Sequence, residues 1–193
     1  MEQIVARIAY VIDIDGFSIL DYQGKKTFVW KELGVADVGE KKTMCYKFSL
    51  PTTFEKLSDC DKKTVLYVRN RCHGLKFRNY VDDLPARNIY GILKQLIRNC
   101  KNSDAIIAFK GGNVERKLLE KLNFDRWINL EDYGCPKFEE LVSSSTTASA
   151  LAEAFLPPTK YRCDRHCILL QNNRVHCPQI EVAYFAAWLL LQE

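Results

Sequence analysis

Four residues near the end of the chain have the types and spacing to hold a transition metal. Cys163, His166, His176 and Cys177 stand in the pattern C-x2-H-x9-H-C. Thiolate and imidazole donors grouped in this way suit tetrahedral zinc. Cys167 and His176 are rival ligands, and a site closed by Cys163, His166, His176 and Cys177 alone is open to the sequence. So is a set of buried thiols with no metal, because free cysteine is a common core residue. The same stretch carries a second chemistry, since His176 is followed five residues later by Glu181 at the opening of an apolar run.

Phosphodiester hydrolysis by two cations needs about four carboxylates around metals roughly 3.5–4 Å apart, and a histidine to take a proton from water. Asp13 and Asp15 alternate at the end of a first apolar strand and so share one of its faces. Glu115 opens a helix that follows the apolar run 104–109. With Glu181 and His176 they make a candidate catalytic set that would use Mg²⁺ or Mn²⁺. Taken singly, each acid has a plainer role, closing a strand into a turn or complementing a helix dipole.

These groups must be positioned by regular elements. Strands are predicted over 4–13, 17–21, 27–35 and 44–50, with Asp15-Gly16 as a turn. The run 65–69 reads as another short strand, and 71–75 as a turn. From Asp83 onward, Ile89, Ile92, Leu93, Leu96, Ile97 and Cys100 recur at helical spacing, with Pro85 at the first turn. The run 104–109 reads as a buried parallel strand. A helix is predicted over 114–122, capped by Asn113. Short helices follow over 136–142 and 148–155, joined by the loop 143–147. A last helix starts near Pro178. An antiparallel meander, then α-β-α, then a terminal helix predicts one α/β domain over 1–193, with a mixed sheet flanked by helices.

The chain has 193 residues, of which 47% are hydrophobic, enough for one sizeable core. Its net charge of +4 is unevenly spread. From Cys60 to Lys101 ten Lys/Arg stand against three Asp. Arg69, Arg71, Lys76 and Arg78 in this region suit phosphate backbones, although a solvated surface explains them equally well. Lys110, in the loop Lys110-Gly111-Gly112, could also meet a phosphate, but the GK[ST] ending of a P-loop is missing. Trp30, Trp127 and Trp188 read as core residues. Three histidines leave no room for a Ser/His/Asp triad. No stretch is long and apolar enough to span a membrane, and the N-terminus lacks a secretory pattern. Of eight cysteines, Cys45, Cys60, Cys72, Cys100 and Cys135 are scattered as core thiols are, which fits cytoplasm or nucleus. The final Leu190-Leu191-Gln192-Glu193 carries no helix-stop signal, which fits a piece of a longer protein.

In VIDIDGF, AFKGGNVERKLL and HCPQIE the chain resembles the ribonuclease H-like DEDDh exonucleases. The resemblance implies Asp13, Asp15, Glu115 and Glu181 as metal-binding acids and His176 as general base. Asp15 stands where the family has Glu, and Glu115 and Glu181 stand where it has Asp. An oxygen displaced by about an ångström costs on the order of a hundredfold in rate, so the exonuclease site is expected to be degenerate. Within that superfamily FVWKELGV, Cys163-x2-His166 and Cys177 resemble the Maelstrom domain. That resemblance implies a structural zinc held by Glu32, Cys163, His166 and Cys177. It also implies single-stranded RNA as ligand and proteins of a small-RNA silencing pathway as partners. An active two-metal 3′–5′ exonuclease and a catalytically dead interaction scaffold are the alternatives.

Overall fold

Three antiparallel strands, β1 (Ile8–Leu20), β2 (Lys26–Asp37) and β3 (Lys42–Lys47), form one half of a five-stranded sheet. Strands β4 (Ile106–Phe109) and β5 (Trp127–Asn129) complete it, each parallel to its inner neighbour, in the order β3-β2-β1-β4-β5. This computed structural model describes residues 2–144, 146–166 and 176–192. Helices α1 (Glu2–Val5), α2 (Asp59–Val68), α3 (Asn88–Ser103), α4 (Asn113–Lys121), α5 (Phe138–Ser144), α6 (Thr146–Phe155) and α7 (Pro178–Leu190) surround the sheet. The architecture is the ribonuclease H-like α/β fold with a mixed sheet.

Both faces of β1 are covered. Tyr10, Ile12 and Ile14 pack with Leu33 and Val35 of β2 against Ile89, Leu93 and Ile97 of α3 and Leu118 and Leu119 of α4. Val11 and Ala36 face the other way, onto α7 and α6. Helix α7 is apolar on all sides and is buried around most of its circumference. Its first turn sits directly on β2, because Gly34 has no side chain. A Cβ there would lie 2.3 Å from the carbonyl carbon and oxygen of Pro178. Further along β1, Phe17 and Ile19 join Val65, Leu75 and Phe77 in a third cluster.

A bulge in β2 controls which side chains share a face. Asp15 pairs with Glu32, but its neighbour Gly16 pairs with Trp30, so Lys31 has no partner on β1. Were Lys31 an ordinary member of the ladder, strict alternation would put Glu32 on the face of Trp30, away from the acids of β1. Gly16 permits the close approach: a Cβ would lie 2.2 Å from the Val29 carbonyl oxygen. The extra residue is a lysine with no exposure. Lys31 Nζ donates to the Phe48 carbonyl oxygen at 2.8 Å and to Asp83 Oδ2 at 2.5 Å. Asp83 also accepts from Arg165 and from the Tyr80 backbone N–H. Burial pushes the Asp83 pKa up, but the hydrogen bonds from Lys31 and Arg165 outweigh it and hold the carboxyl below its ordinary range.

Several sequence expectations change. Asp15-Gly16 is no turn but the middle of one continuous strand; the strands expected over 4–13 and 17–21 are both parts of β1. The real hairpin turn is Asp21–Lys25, where Gly24 has φ 73°. Residues 65–69 end helix α2 instead of forming a strand, because Ser58 caps the helix by accepting from the Asp61 N–H. A π-helical turn, Arg69–His73, follows. Gly112, not Asn113, is the N-cap of α4. Helix occupies both sides of position 145, which lies outside the described residues, in place of the expected loop. Strand β5 was not anticipated. No helix among the described residues is long and apolar enough to cross a membrane.

Removing one member of a buried ionic group strands the others without a partner, which costs about 3–5 kcal/mol. Asp83→Asn is expected to lose that much in urea unfolding at pH 7. Asp104→Asn, which breaks only the exposed pairs with Arg7 and Arg126, is expected to lose under about 1 kcal/mol. Equal losses would remove the buried triad from its structural role.

Candidate active site and metal centre

The bulge, the entry to α7 and the start of α4 converge on one face of the β1–β2 pair. Asp13, Asp15 and Glu32 project from that face, and Gly34 opens it to α7. Among the described residues, Glu32, Cys163, His166 and Cys177 are the group of metal-ligating side chains whose donor atoms all lie within 4.8 Å of one another. Cys163 Sγ is 3.3 and 3.4 Å from the two Glu32 oxygens, and His166 Nε2 is 2.7 Å from Glu32 Oε2. Tetrahedral zinc with bonds of about 2.0–2.3 Å needs ligand separations of about 3.3–3.8 Å, so small adjustments close the site. This cluster could bind a metal.

The imidazole is already oriented for it. His166 Nδ1 is 2.5 Å from the His73 carbonyl oxygen, an acceptor, so Nδ1 keeps a proton, and Nε2, which faces Glu32 at 2.7 Å, is the atom that would meet a metal once it gives up its own proton. His73 is itself fixed. Its Nε2 donates to the Gly16 carbonyl oxygen at 3.0 Å and its Nδ1 accepts from the Leu75 N–H at 3.1 Å. Burial pulls its pKa down to about 4, so it stays neutral. Hydrogen bonds from the Cys177 and Cys45 thiols pull the Cys163 thiol far below its ordinary range. Burial acts against charge on His166, but hydrogen bonds to Cys163 and Glu32 outweigh it and raise the pKa to about 11. A thiolate beside a carboxylate is a negative pocket that favours a cation.

The acids lie next to this cluster. Asp13 and Asp15 are half-buried on β1, and both carboxyls are pushed well up, first by burial and then by the charge of Glu181. Asp15 Oδ2 is buried with no hydrogen-bond partner among the described residues. Glu115 is 4% exposed in the first turn of α4, and its Oε1 accepts from the Ile14 N–H at 2.9 Å. Burial raises its pKa to about 7. Glu181 stands in the first turn of α7. His176 Nδ1 is 3.1 Å from Glu181 Oε1, and its Nε2 is 3.4 Å from Glu139 Oε1. That hydrogen bond to Glu181 raises the His176 pKa. His176 is thus turned to the acids, whereas Glu32 closes the cysteine cluster. Mutually repelling carboxylates with an unpartnered oxygen are what divalent cations neutralise.

The expected phosphate-binding residues separate into three places. Arg69 and Arg71 belong to the π-helical turn, which reaches the acids: the charge of Asp15 helps raise the Cys72 thiol, after burial, and His73 binds Gly16. Lys110 Nζ pairs with Glu131 at 3.3 Å, in a shallow cleft shared with His176 and Glu181. Lys76 and Arg78 line a different cleft beyond β3. Cys167 lies outside the described residues. Sequence reasoning missed Cys45, whose Sγ is 3.9 Å from Glu32 Oε2; its alternation on β3 opposite Gly34 was the available signal. It also missed His73, Asp83 and Arg165.

No protein-family model and no curated protein matches the chain. Solved structures do. The Mopeia virus exonuclease domain, solved partially complexed with manganese, matches with a TM-score of 0.58 and 15% identity over 98% of this chain and 80% of that one. Likeness at that identity establishes the fold. A 3′-exonuclease solved for 3′-end specific recognition of a histone mRNA stem-loop and a full-length 3′-exonuclease superpose more loosely, at TM-scores of 0.39 and 0.40. Each is 14% identical over 96% of this chain and 82% of that one.

Glu115 makes a linkage prediction. A carboxyl whose pKa rises on folding destabilises the native state once it must ionise. That loss begins above its ordinary 4.5 and grows until about pH 7. Without added divalent cation, the wild type is expected to lose up to about 3 kcal/mol between pH 4.5 and 7.5 from this group. Glu115→Gln is expected to flatten the decline. Parallel melting curves for the two proteins across that range would exonerate the buried charge.

Proposed function

We propose that this chain is a divalent-cation-dependent 3′–5′ exonuclease domain acting on single-stranded RNA or a related nucleic acid, with a structural zinc beside its acidic site. The observation that carries the reading is the convergence of Asp13, Asp15, Glu115 and Glu181 beside His176, with a buried Asp15 oxygen lacking any partner among the described residues. Asp15 is one methylene shorter than the resembled family's glutamate, while Glu115 and Glu181, on helices α4 and α7, are each one longer than its aspartates.

In this reading Asp13, Asp15, Glu115 and Glu181 would hold Mg²⁺ or Mn²⁺, which when bound would supply charge stabilisation at the scissile phosphate and lower the pKa of the attacking water. His176 accepts the proton of the attacking water. The new P–O bond forms as the bond to the 3′-oxygen of the penultimate nucleotide breaks. That oxygen takes a proton from solvent, and a nucleoside 5′-monophosphate leaves. Arg69, Arg71 and Lys110 flank the acids and meet the backbone phosphates. Glu32, Cys163, His166 and Cys177 hold zinc, tying the 163–166 segment and the start of α7 to β2.

A second reading is a Maelstrom-like RNA binder in small-RNA silencing, with silencing proteins as partners and no cleavage. The Glu-Cys-His-Cys set favours it. The discriminating assay is mononucleotide release from a 3′-end-labelled single-stranded RNA with Mn²⁺. Release is expected, with a loss of at least a hundredfold in Asp13→Ala. Salt-sensitive binding without release would favour the binder, and neither would leave a scaffold.

Zinc has its own measurement. Elemental analysis is expected to find one zinc per chain, and none in Cys163→Ala. A metal-free wild type that keeps its fold would remove zinc from the proposal.

A further inference from the structure

A cleft of about 340 Å³ opens beyond edge strand β3, apart from the acids. Lys47, Lys76, Arg78 and Arg165 line it, together with Asp82 and Asp164. Most of its negative charge is already committed. Arg165, whose side chain is 5% exposed, is paired with both Asp82 and Asp83, and Lys31 shares Asp83. Those two cations and two acids cancel. What remains is Lys47, Lys76 and Arg78 against Asp164 alone, which is 90% exposed and 3.9 Å from Lys47. His166, also on the wall of the cleft, is paired with Glu32, so three cations less one acid leave the cleft at +2.

The cleft is also held in shape. The Arg165 guanidinium lies 4.0 Å from the centre of the Tyr80 ring, and that of Arg78 lies 4.3 Å from it. The Tyr80 N–H donates to Asp83, which fixes this loop on the buried triad. Because Asp82 and Asp83 take the Arg165 guanidinium, it is the planar fork of Arg78, stacked on Tyr80, that suits a phosphate oxyanion.

Its position relates it to the acids. Asp15 pairs with Glu32, and Glu32 pairs with Lys47, across three neighbouring strands. Strands lie about 4.8 Å apart, so the Lys47 backbone is roughly 10 Å from that of Asp15. The Glu32, Cys163, His166 and Cys177 cluster stands between them, and Arg165 lies between two of its members in sequence.

We propose that this cleft is a phosphate subsite that holds the substrate strand upstream of the acids, across the span from β1 to β3. The proposal rests on the nuclease reading for the identity of the strand. The cleft's preference for a phosphate group rests on its own residues.

The test measures binding without cleavage. Asp13→Asn protein is titrated with fluorescent single-stranded RNA of twelve and of three nucleotides at several salt concentrations. Lys76→Ala/Arg78→Ala is compared with Lys94→Ala/Arg98→Ala, a pair of exposed cations on α3. The cleft pair is expected to weaken the 12-mer about tenfold or more and to lower the log–log salt slope by about 1 to 1.5, at about 0.7 per phosphate contact. The 3-mer is expected to be unaffected. A 12-mer affinity and slope matching the α3 control would overturn the proposal.

A 5′-phosphorylated and a 5′-hydroxyl 12-mer separate the two sources of phosphate. Equal affinity assigns a backbone phosphodiester, and a preference lost in the cleft variant assigns a terminal phosphate. Should the parent bind no RNA, the nuclease reading fails by itself. Calorimetry with inorganic phosphate then decides the cleft: heat abolished by the double substitution sustains it, and no heat overturns it.

Discussion

The arrangement of the site depends on a lysine that has no place in a regular ladder. With strict alternation, Trp30, Lys31 and Glu32 cannot put Trp30 on the α3 face and Glu32 on the acidic face. The bulge at Lys31 solves this by inserting one residue, and the cost is a buried ammonium group. Asp83 and the Phe48 carbonyl neutralise and satisfy it. Asp83 in turn recruits Arg165, which immediately precedes His166. One irregularity in β2 therefore presents Glu32 to its neighbours and anchors the segment that brings Cys163 and His166 to it.

The same face carries two kinds of negative charge with different fates. Glu32 is shielded from water by Cys163, His166 and the start of α7, and its donors already lie near the spacing of a closed tetrahedral site. Asp13 and Asp15 are more open, and their oxygens are less fully matched. Closed coordination suits a structural ion, and incomplete coordination suits an ion that must also meet water and substrate. His73 and the π-helical turn serve both sides, since the His73 carbonyl orients His166 while its ring holds Gly16 beside Asp15. π-turns are frequent at functional sites because they place irregular backbone where a regular helix could not reach.

How much of this could be read from the chain depended on whether a feature is local. Helix α3 was legible because Ile89, Leu93, Leu96, Ile97 and Cys100 all bury one face. That Asp13 and Asp15 share one face of β1 was legible because D-x-D on an apolar strand leaves little freedom of direction. The ligand set with Glu32, implied by resemblance, coincides with the group whose donor atoms converge. The Asp15-Gly16 turn failed because glycine serves two purposes, positive φ and close approach, and Gly16 serves the second. The strand expected over 65–69 failed because the Ser58 cap that starts helix α2 lies seven residues upstream of Val65, outside the run itself. Lys31 beside Glu32 in an apolar strand was itself a signal of a bulge, since two adjacent charges cannot both be solvated there. Asp83 and Arg165 were invisible, because nothing local predicts a pairing across 82 residues.

The placement of charge along the sheet argues for a directional path. Moving from β1 to β3 along paired residues, carboxylates give way to a mixed thiolate and imidazole cluster and then to lysine and arginine. A polyanion lying along that line meets attraction at the basic end without help. At the acidic end it is repelled until cations neutralise Asp13, Asp15, Glu115 and Glu181. Binding at the basic end is thus independent of divalent ions in its sign, whereas engagement of the reactive end is not. Under the proposed function, a strand held first by its distant phosphates would bring its terminus to the acids at high effective concentration, and added cations would decide whether that encounter is productive.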